Sequence, residues 1–229
     1  MEQQFQYYAF ISYKREDEKW AKWLQDRLRW YKLPSKLCRQ ITRLPKKVWP
    51  VFRDNTDLDS GRLEENIRHE LGRSHYLIVI CSPEAARSPW VGKEVKYFAT
   101  LHGADKIIPF VVSGIPYSND IETECIHEQI KAISQEELLA INVREEGIGS
   151  FAMKKKRAFI RVVARLLDIK FNTLWQPYER ILRIRKWSTG IGVVLFLFVL
   201  FILWDYYRTK NEYFADYVDR WGIPEGVVE

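Results

Sequence analysis

Apolar residues along this chain alternate between short continuous runs and longer stretches with helical spacing. Tyr7-Tyr8-Ala9-Phe10-Ile11-Ser12, Tyr76-Leu77-Ile78-Val79-Ile80-Cys81 and Ile107-Ile108-Pro109-Phe110-Val111-Val112 are nearly unbroken apolar segments, the pattern of strands buried on both faces. Val48-Trp49-Pro50-Val51-Phe52 is a further strand candidate, limited by Pro50 to an edge or a strand start. Residues 138–143 read as a weak fifth strand. Between them lie helical patterns. Trp20, Trp23, Leu24, Leu28 and Tyr31 share one side of 17–31. Leu63, Ile67 and Leu71 recur in a helix ending near Ser74, and Val91, Val95, Phe98 and Leu101 form a core-facing stripe after Ser88. A polar helix is expected over 121–133 and a basic amphipathic one over 151–167. About five alternations of strand and helix predict a doubly wound α/β domain, a five-stranded parallel sheet with helices on both faces.

In such a sheet ligands bind beyond the carboxyl ends of the strands, near the point where strand order reverses. That rule selects Ser12, Tyr13, Lys14 and Arg15 after the first strand, Arg53 and Asp54 after the second, and Cys81 and Ser82 after the third. The helix that begins at the same rim has Ser88 as N-cap and Pro89 at its first position, and it carries Trp90 and Glu94. Glu94 lies beside the apolar stripe, which predicts a carboxylate at the edge of the core. A carboxylate, an indole, cations and hydroxyls on one rim suit a charged, aromatic, sugar-containing ligand; the alternative is that these are ordinary loop polars at strand ends. The chain has no G-x-G-x-x-G, G-x-x-x-x-G-K-[ST], G-x-S-x-G or H-E-x-x-H, so none of the activities those motifs carry is indicated. Cys81-Ser82 reads as a strand-end turn, since no histidine follows at a suitable position for a nucleophile. The four histidines lack ligand spacing, so no metal site is expected. Three scattered cysteines fit a reducing compartment.

The net charge of +6 is unevenly placed. Residues 1–150 hold 22 basic and 22 acidic side chains, 151–190 hold 11 and 2, and 191–229 hold 3 and 6. A basic block directly before a long apolar run is a membrane pattern, and it argues against nucleic acid as a partner. Residues 187–204 contain no charge, and 12 of them are Leu, Ile, Val or Phe. At roughly −0.3 to −0.6 kcal/mol each, these favour insertion by about 4–7 kcal/mol. An apolar run of about 18–21 residues spans roughly 27–31 Å, enough for a bilayer core. Trp187 flanks one end and Trp204, Tyr206 and Tyr207 the other. Arg180, Arg183, Arg185 and Lys186 crowd the N-terminal flank, which places 1–186 in the cytoplasm and the tail outside. The expected organisation is a globular domain over 1–170, a basic juxtamembrane helix at 171–186 lying against anionic lipid, a transmembrane helix at 187–207 and a short extracytoplasmic tail at 208–229. The polar N-terminus, Met1-Glu2-Gln3-Gln4, does not resemble a cleavable signal.

Four segments in order resemble the successive boxes of a Toll/interleukin-1 receptor (TIR) domain. They are Tyr8-Ala9-Phe10-Ile11-Ser12-Tyr13-Lys14-Arg15, the Phe52-Arg53-Asp54…Leu58-Asp59-Ser60-Gly61 loop, Tyr76 to Pro83, and Trp90-Val91-Gly92-Lys93-Glu94-Val95. The similarity covers roughly residues 6–168, and the arginine-rich run and apolar helix that follow are similar to bacterial membrane-tethered TIR proteins. The resemblance implies a flavodoxin-like fold and, as in many bacterial members, cleavage of NAD+ at the nicotinamide–ribose bond, with NAD+ as substrate and no separate cofactor. It implies a catalytic role for Glu94 in a W-x-x-x-E context, with Trp90 stacking on a ring of the dinucleotide and Lys14 or Arg15 holding the pyrophosphate. Ser12, Tyr13 and Asp54 complete the expected substrate-binding set. It also implies self-association through the loop after the second strand, here Asn55, Leu58, Ser60 and Gly61, giving a homo-oligomer clustered in the inner membrane, with other TIR or sensor proteins as further partners in bacterial defence signalling. The alternative implied by the same family is a non-enzymatic adaptor that signals through TIR–TIR contact. A phosphoryl-accepting receiver shares the fold, but Ser12-Tyr13-Lys14-Arg15 lacks the paired acidic residues that metal-assisted phosphorylation needs after the first strand.

Overall fold

A computed structural model describes residues 5–41, 44–45, 47–53, 61–133, 140–144 and 150–221. Five strands, β1 (Tyr7–Ser12), β2 (Val51–Arg53), β3 (Ser74–Cys81), β4 (Ile107–Val111) and β5 (Ile141–Asn142), form one sheet in the order β2-β1-β3-β4-β5. All four pairings are parallel. The chain moves outward from β1 to β2 and then returns to β3 on the other side of β1. The switch point, where a doubly wound sheet opens a crevice, therefore lies between the carboxyl ends of β1 and β3. The β3 and β4 runs are almost wholly buried, as strands covered on both faces must be.

The period of two along the strands divides the core. Phe10, Leu77, Val79, Cys81, Ile107 and Val111 face a cluster closed by α3 (Gly61–Gly72), α5 (Pro89–His102) and α6 (Glu128–Ile133). Ala9 and Ile11 alternate with Phe10 and so face the opposite side, where α1 (Glu18–Trp30) and α7 (Phe151–Leu166) lie. There the Trp23 ring stacks on Phe110 at 6.4 Å and meets Phe159 edge-on at 6.2 Å. A 3-10 turn, Arg15–Asp17, leads into α1, and α2 (Ser35–Gln40) and α4 (Pro83–Ala86) are short.

Several local expectations need correction. β2 begins only at Val51, because Pro50 has no N–H to give; its carbonyl still accepts from the Tyr8 N–H at 2.7 Å. Leu101 is 46% exposed rather than core. It sits in the last turn of α5, with its side chain 3.7 Å from where a Cβ on Gly72 would stand. The helix expected over 121–133 forms only from Glu128. Upstream, Ile115 bridges to Glu124, and the buried Glu124 carboxylate accepts from the N–H groups of Tyr117 (3.2 Å) and Ile126 (2.7 Å) and pairs with Lys131. A side chain that satisfies backbone donors in this way competes with helix formation.

Residues 1–175 and 176–229 form two compact units. In the first, Leu174 and Trp175 are buried and the Arg157 guanidinium lies 5.2 Å from the Trp175 ring centre. The second is built on the long helix α8 (Phe171–Trp221). Among the described residues it contains one segment long and apolar enough to cross a membrane, Gly192–Lys210, with mean hydropathy 1.6 and every large apolar side chain exposed. Its 19 residues measure about 28 Å as a helix. Residues 222–229 lie outside the described set.

Candidate active site

The site is organised by the first turns of α5. Ser88 caps the helix, its Oγ accepting from the Val91 N–H at 3.5 Å, and Pro89 occupies the first helical position. Val91, Val95 and Phe98 are fully buried against the sheet. At 100° per residue, Glu94 stands about 60° from the Val91 direction, so it enters the structure at the border of the core. The border is tighter than the sequence suggests, since Glu94 is only 6% exposed. Its carboxyl-bearing side chain nevertheless helps to line a surface concavity of about 290 Å³, together with Ile67, Arg68 and Leu71 of α3 and Trp90 and Tyr97 of α5. The Lys93 ammonium lies 5.5 Å from the Trp90 ring centre and the Arg68 guanidinium 5.6 Å from that of Tyr97. A buried carboxylate, two aromatic faces and flanking cations thus share one wall.

Ser12 ends β1 at the switch point. By strand alternation it faces the same side of the sheet as Phe10, the side covered by α3 and α5. It is 1% exposed, and its Oγ has no hydrogen-bond partner among the described residues. A buried hydroxyl without a partner costs free energy, and Ser12 is not among the residues that line the concavity.

The neighbouring residues are used differently. The Tyr13 hydroxyl accepts from Arg53 Nη1 at 3.2 Å, with the guanidinium 5.7 Å from the ring centre. Arg53 also donates to Gln25 (3.1 Å) and Glu18 (3.2 Å) of α1, so Tyr13 belongs to a network on the α1 side. Lys14 precedes the 3-10 turn and Arg15 is exposed at its start; neither they nor Tyr13 line the concavity. Gly61 opens α3. Asp54, Asn55, Leu58 and Ser60 lie outside the described residues.

Residues 9–146, well over half of the chain, match the TIR domain family model. The chain belongs to the TIR domain family. It is also similar to a protein named NAD(+) hydrolase ApTIR from Actinoplanes sp., 36% identical over 110 residues, which are 47% of this chain and 14% of that protein. The chain thus spans about a seventh of that relative's length. A solved structure titled as the TIR domains of the activated Roq1 resistosome directly recognizing the pathogen effector XopQ aligns with 67% of this chain and 98% of its own, at TM-score 0.44 and 14% identity.

Two arrangements in this TIR domain escape a reading by spacing. Asp17 occupies the N-cap position of α1, yet its side chain makes no capping hydrogen bond. Its Oδ2 instead accepts from Ser82 Oγ at 2.5 Å, and Ser82 Oγ in turn accepts from the Ala85 N–H at 3.1 Å. This pair ties the start of α1 to the end of β3 at the switch point. Burial pushes the Asp17 pKa up, and the Ser82 hydrogen bond opposes that shift. The other arrangement is His127, packed against Gly92 between Trp90 and Glu94. No periodicity pairs residues 65 or 35 positions apart. The only sequence signals are an Asp at a strand–helix junction and a glycine inside a helix, where it costs about 1 kcal/mol relative to alanine.

Proposed function

We propose that this TIR domain cleaves NAD+ at the nicotinamide–ribose bond, with Glu94 as the catalytic carboxylate, and that residues 187–207 anchor it in a membrane with the domain on the cytoplasmic side. The observation that carries this reading is Glu94 itself: nine-tenths buried, in a W-x-x-x-E context, and still on the wall of a concavity beside Trp90. The similarity to a protein named as an NAD(+) hydrolase supports the substrate.

In this reaction the C1′–N bond breaks and its electron pair goes to the pyridinium nitrogen, so nicotinamide leaves neutral without a general acid. The ribose is left as an oxocarbenium ion. A carboxylate stabilises that charge more strongly than it stabilises the substrate. Water then adds to C1′ and loses a proton, giving nicotinamide, ADP-ribose and H+; addition of an intramolecular nucleophile in place of water gives the cyclic product. The Trp90 face suits a heteroaromatic ring, and the unpartnered Ser12 hydroxyl suits a ribose hydroxyl. Arg68 and Lys93 supply positive charge for the pyrophosphate on the same wall, in addition to Lys14 and Arg15 on the rim. Clustering of anchored copies in the bilayer raises local concentration and provides the self-association that switches on the domain in defence signalling.

The test is nicotinamide release by concentrated, detergent-solubilised chain. Removing one electrostatic stabiliser of this kind costs on the order of 10²–10³ in kcat, so Glu94→Gln should lose at least that while keeping its far-ultraviolet circular dichroism. Unchanged turnover in that variant removes Glu94 as the catalytic carboxylate, and absence of nicotinamide release by the wild-type chain removes the enzymatic reading and leaves the adaptor.

A further inference from the structure

The position of Glu94 depends on what holds α5, and the helix is held from behind. His127 lies in the segment that leads into α6. The Gln129 N–H donates to its Nδ1 at 3.0 Å, so that nitrogen carries no proton. The ring proton is therefore on Nε2, and it is donated to the Ser88 carbonyl at 3.1 Å. That same carbonyl accepts from the Gly92 N–H at 3.2 Å. His127 thus bridges the capping residue of α5 to the first turn of α6. Its Cε1 and Nε2 also fill the space beside Gly92, where a Cβ would come within 2.4 and 2.7 Å of them. Gly92 and Glu94 are two residues apart, about 200° around the helix. The imidazole therefore presses on the side of α5 opposite the one that presents Glu94 to the concavity.

We propose that His127 is a positioning residue for Glu94: through Gly92 and the Ser88 carbonyl it sets the depth and rotation of the first two turns of α5. The proposal rests on the reading of Glu94 as the catalytic carboxylate, and it adds a residue outside the lining of the concavity. Burial lowers the His127 pKa, which keeps the ring in the neutral form that both hydrogen bonds require. The glycine in Trp90-Val91-Gly92-Lys93-Glu94 gains a purpose from this contact. Only a residue without a Cβ lets the imidazole reach the helix backbone.

The consequence is a dependence of one substitution on the other. With His127 present, Gly92→Ala needs α5 or the ring to move by about 1 Å, and a misplacement of that size can cost about 10²-fold in rate. With His127→Ala in the same chain, the new Cβ enters vacated space and alanine favours the helix. The experiment compares Gly92→Ala, His127→Ala, the double variant and His127→Gln, whose amide can still donate to Ser88, all as full chain in detergent. Two readouts are needed: steady-state nicotinamide release, and hydrogen exchange in peptides covering α5. We expect His127→Ala to lower kcat by about 10–100-fold with KM within about twofold, the pattern of lost transition-state geometry. His127→Gln should recover most of that loss, and the double variant should turn over faster than Gly92→Ala alone. Exchange at residues 91–95 should rise about tenfold in His127→Ala while α7 is unchanged, because an opened first turn exposes those amides.

A rise in KM at constant kcat overturns the proposal, as does a His127→Gln variant no better than alanine, or a double variant worse than either single one. Uniformly faster exchange across the domain also overturns it, since that is loss of stability and not of position. If the wild-type chain releases no nicotinamide, the NAD+ reading fails by itself; the exchange pattern then still decides whether His127 holds α5.

Discussion

The Asp17–Ser82 pair makes a demanding prediction, because the two truncations should cost different amounts for a stated reason. Asp17 is 8% exposed and Ser82 fully buried, with 2.5 Å between Oδ2 and Oγ. Asp17→Ala removes a charge-assisted hydrogen bond but also a buried carboxylate whose ionisation burial already opposes; the net loss should be about 1–2 kcal/mol. Ser82→Ala removes the cap on the Ala85 N–H, about 1 kcal/mol, and leaves the buried carboxylate without its donor, a further 1–3 kcal/mol or so. Its total is therefore about 2–4 kcal/mol. The double variant has no stranded charge and loses little beyond the cap, so the two changes should couple by about 2–5 kcal/mol. The sign of the pH dependence follows from linkage. Burial raises the folded-state pKa of Asp17, so its contribution to stability is full below the unfolded value, near 4, and is lost as pH rises through the higher folded value. Ser82→Ala deletes the one contact that favours the charged form, which raises the folded pKa further and makes the variant's deficit grow with pH. Urea titration of the detergent-solubilised chain, followed by the emission of its nine tryptophans, measures each variant at pH 4 and pH 7. Equal costs for the two single variants at pH 7, a strictly additive double, or a Ser82→Ala deficit that shrinks on going to pH 7 would each refute the reasoning.

Other expectations are simpler. Phe98→Ala empties a fully buried position under α5 and should cost about 3–5 kcal/mol in the same titration, a large part of a typical domain's stability; a loss below 1 kcal/mol would mean that α5 does not pack as described. Leu197→Arg with Leu200→Arg should move the chain from the membrane pellet to the soluble fraction of a cell lysate. Each arginine near a helix centre opposes insertion by about 2.5–3.5 kcal/mol, enough together to offset the apolar gain. Retention in the carbonate-washed membrane would argue against residues 187–207 as the anchor. Glu94→Gln and the His127 series, described above, test the site itself through nicotinamide release and hydrogen exchange.

Much of this protein is legible in its sequence because the controlling physics is local. Three almost unbroken apolar runs can be buried only as interior strands, and helical spacing between them makes the sheet parallel and doubly wound. The strand-end rule and a capped helix with a carboxylate beside its apolar stripe then bring Ser12, Trp90 and Glu94 into view. The apolar run expected at 187–207 likewise follows from composition, and the structure carries a helix long and apolar enough to cross a membrane over Gly192–Lys210. Tertiary structure decided what depends on partners distant in the chain. It moved Tyr13 into the Arg53 network beside α1, sent the Asp17 carboxylate to Ser82 instead of its own helix, and let the Glu124 carboxylate replace two turns of an expected helix. It also set His127 against Gly92, 35 residues away. A hydrophobic pattern states which face of an element is buried. It does not state which hydrogen-bonding groups meet once the elements pack, and that meeting determines how deeply Glu94 sits and what holds it there.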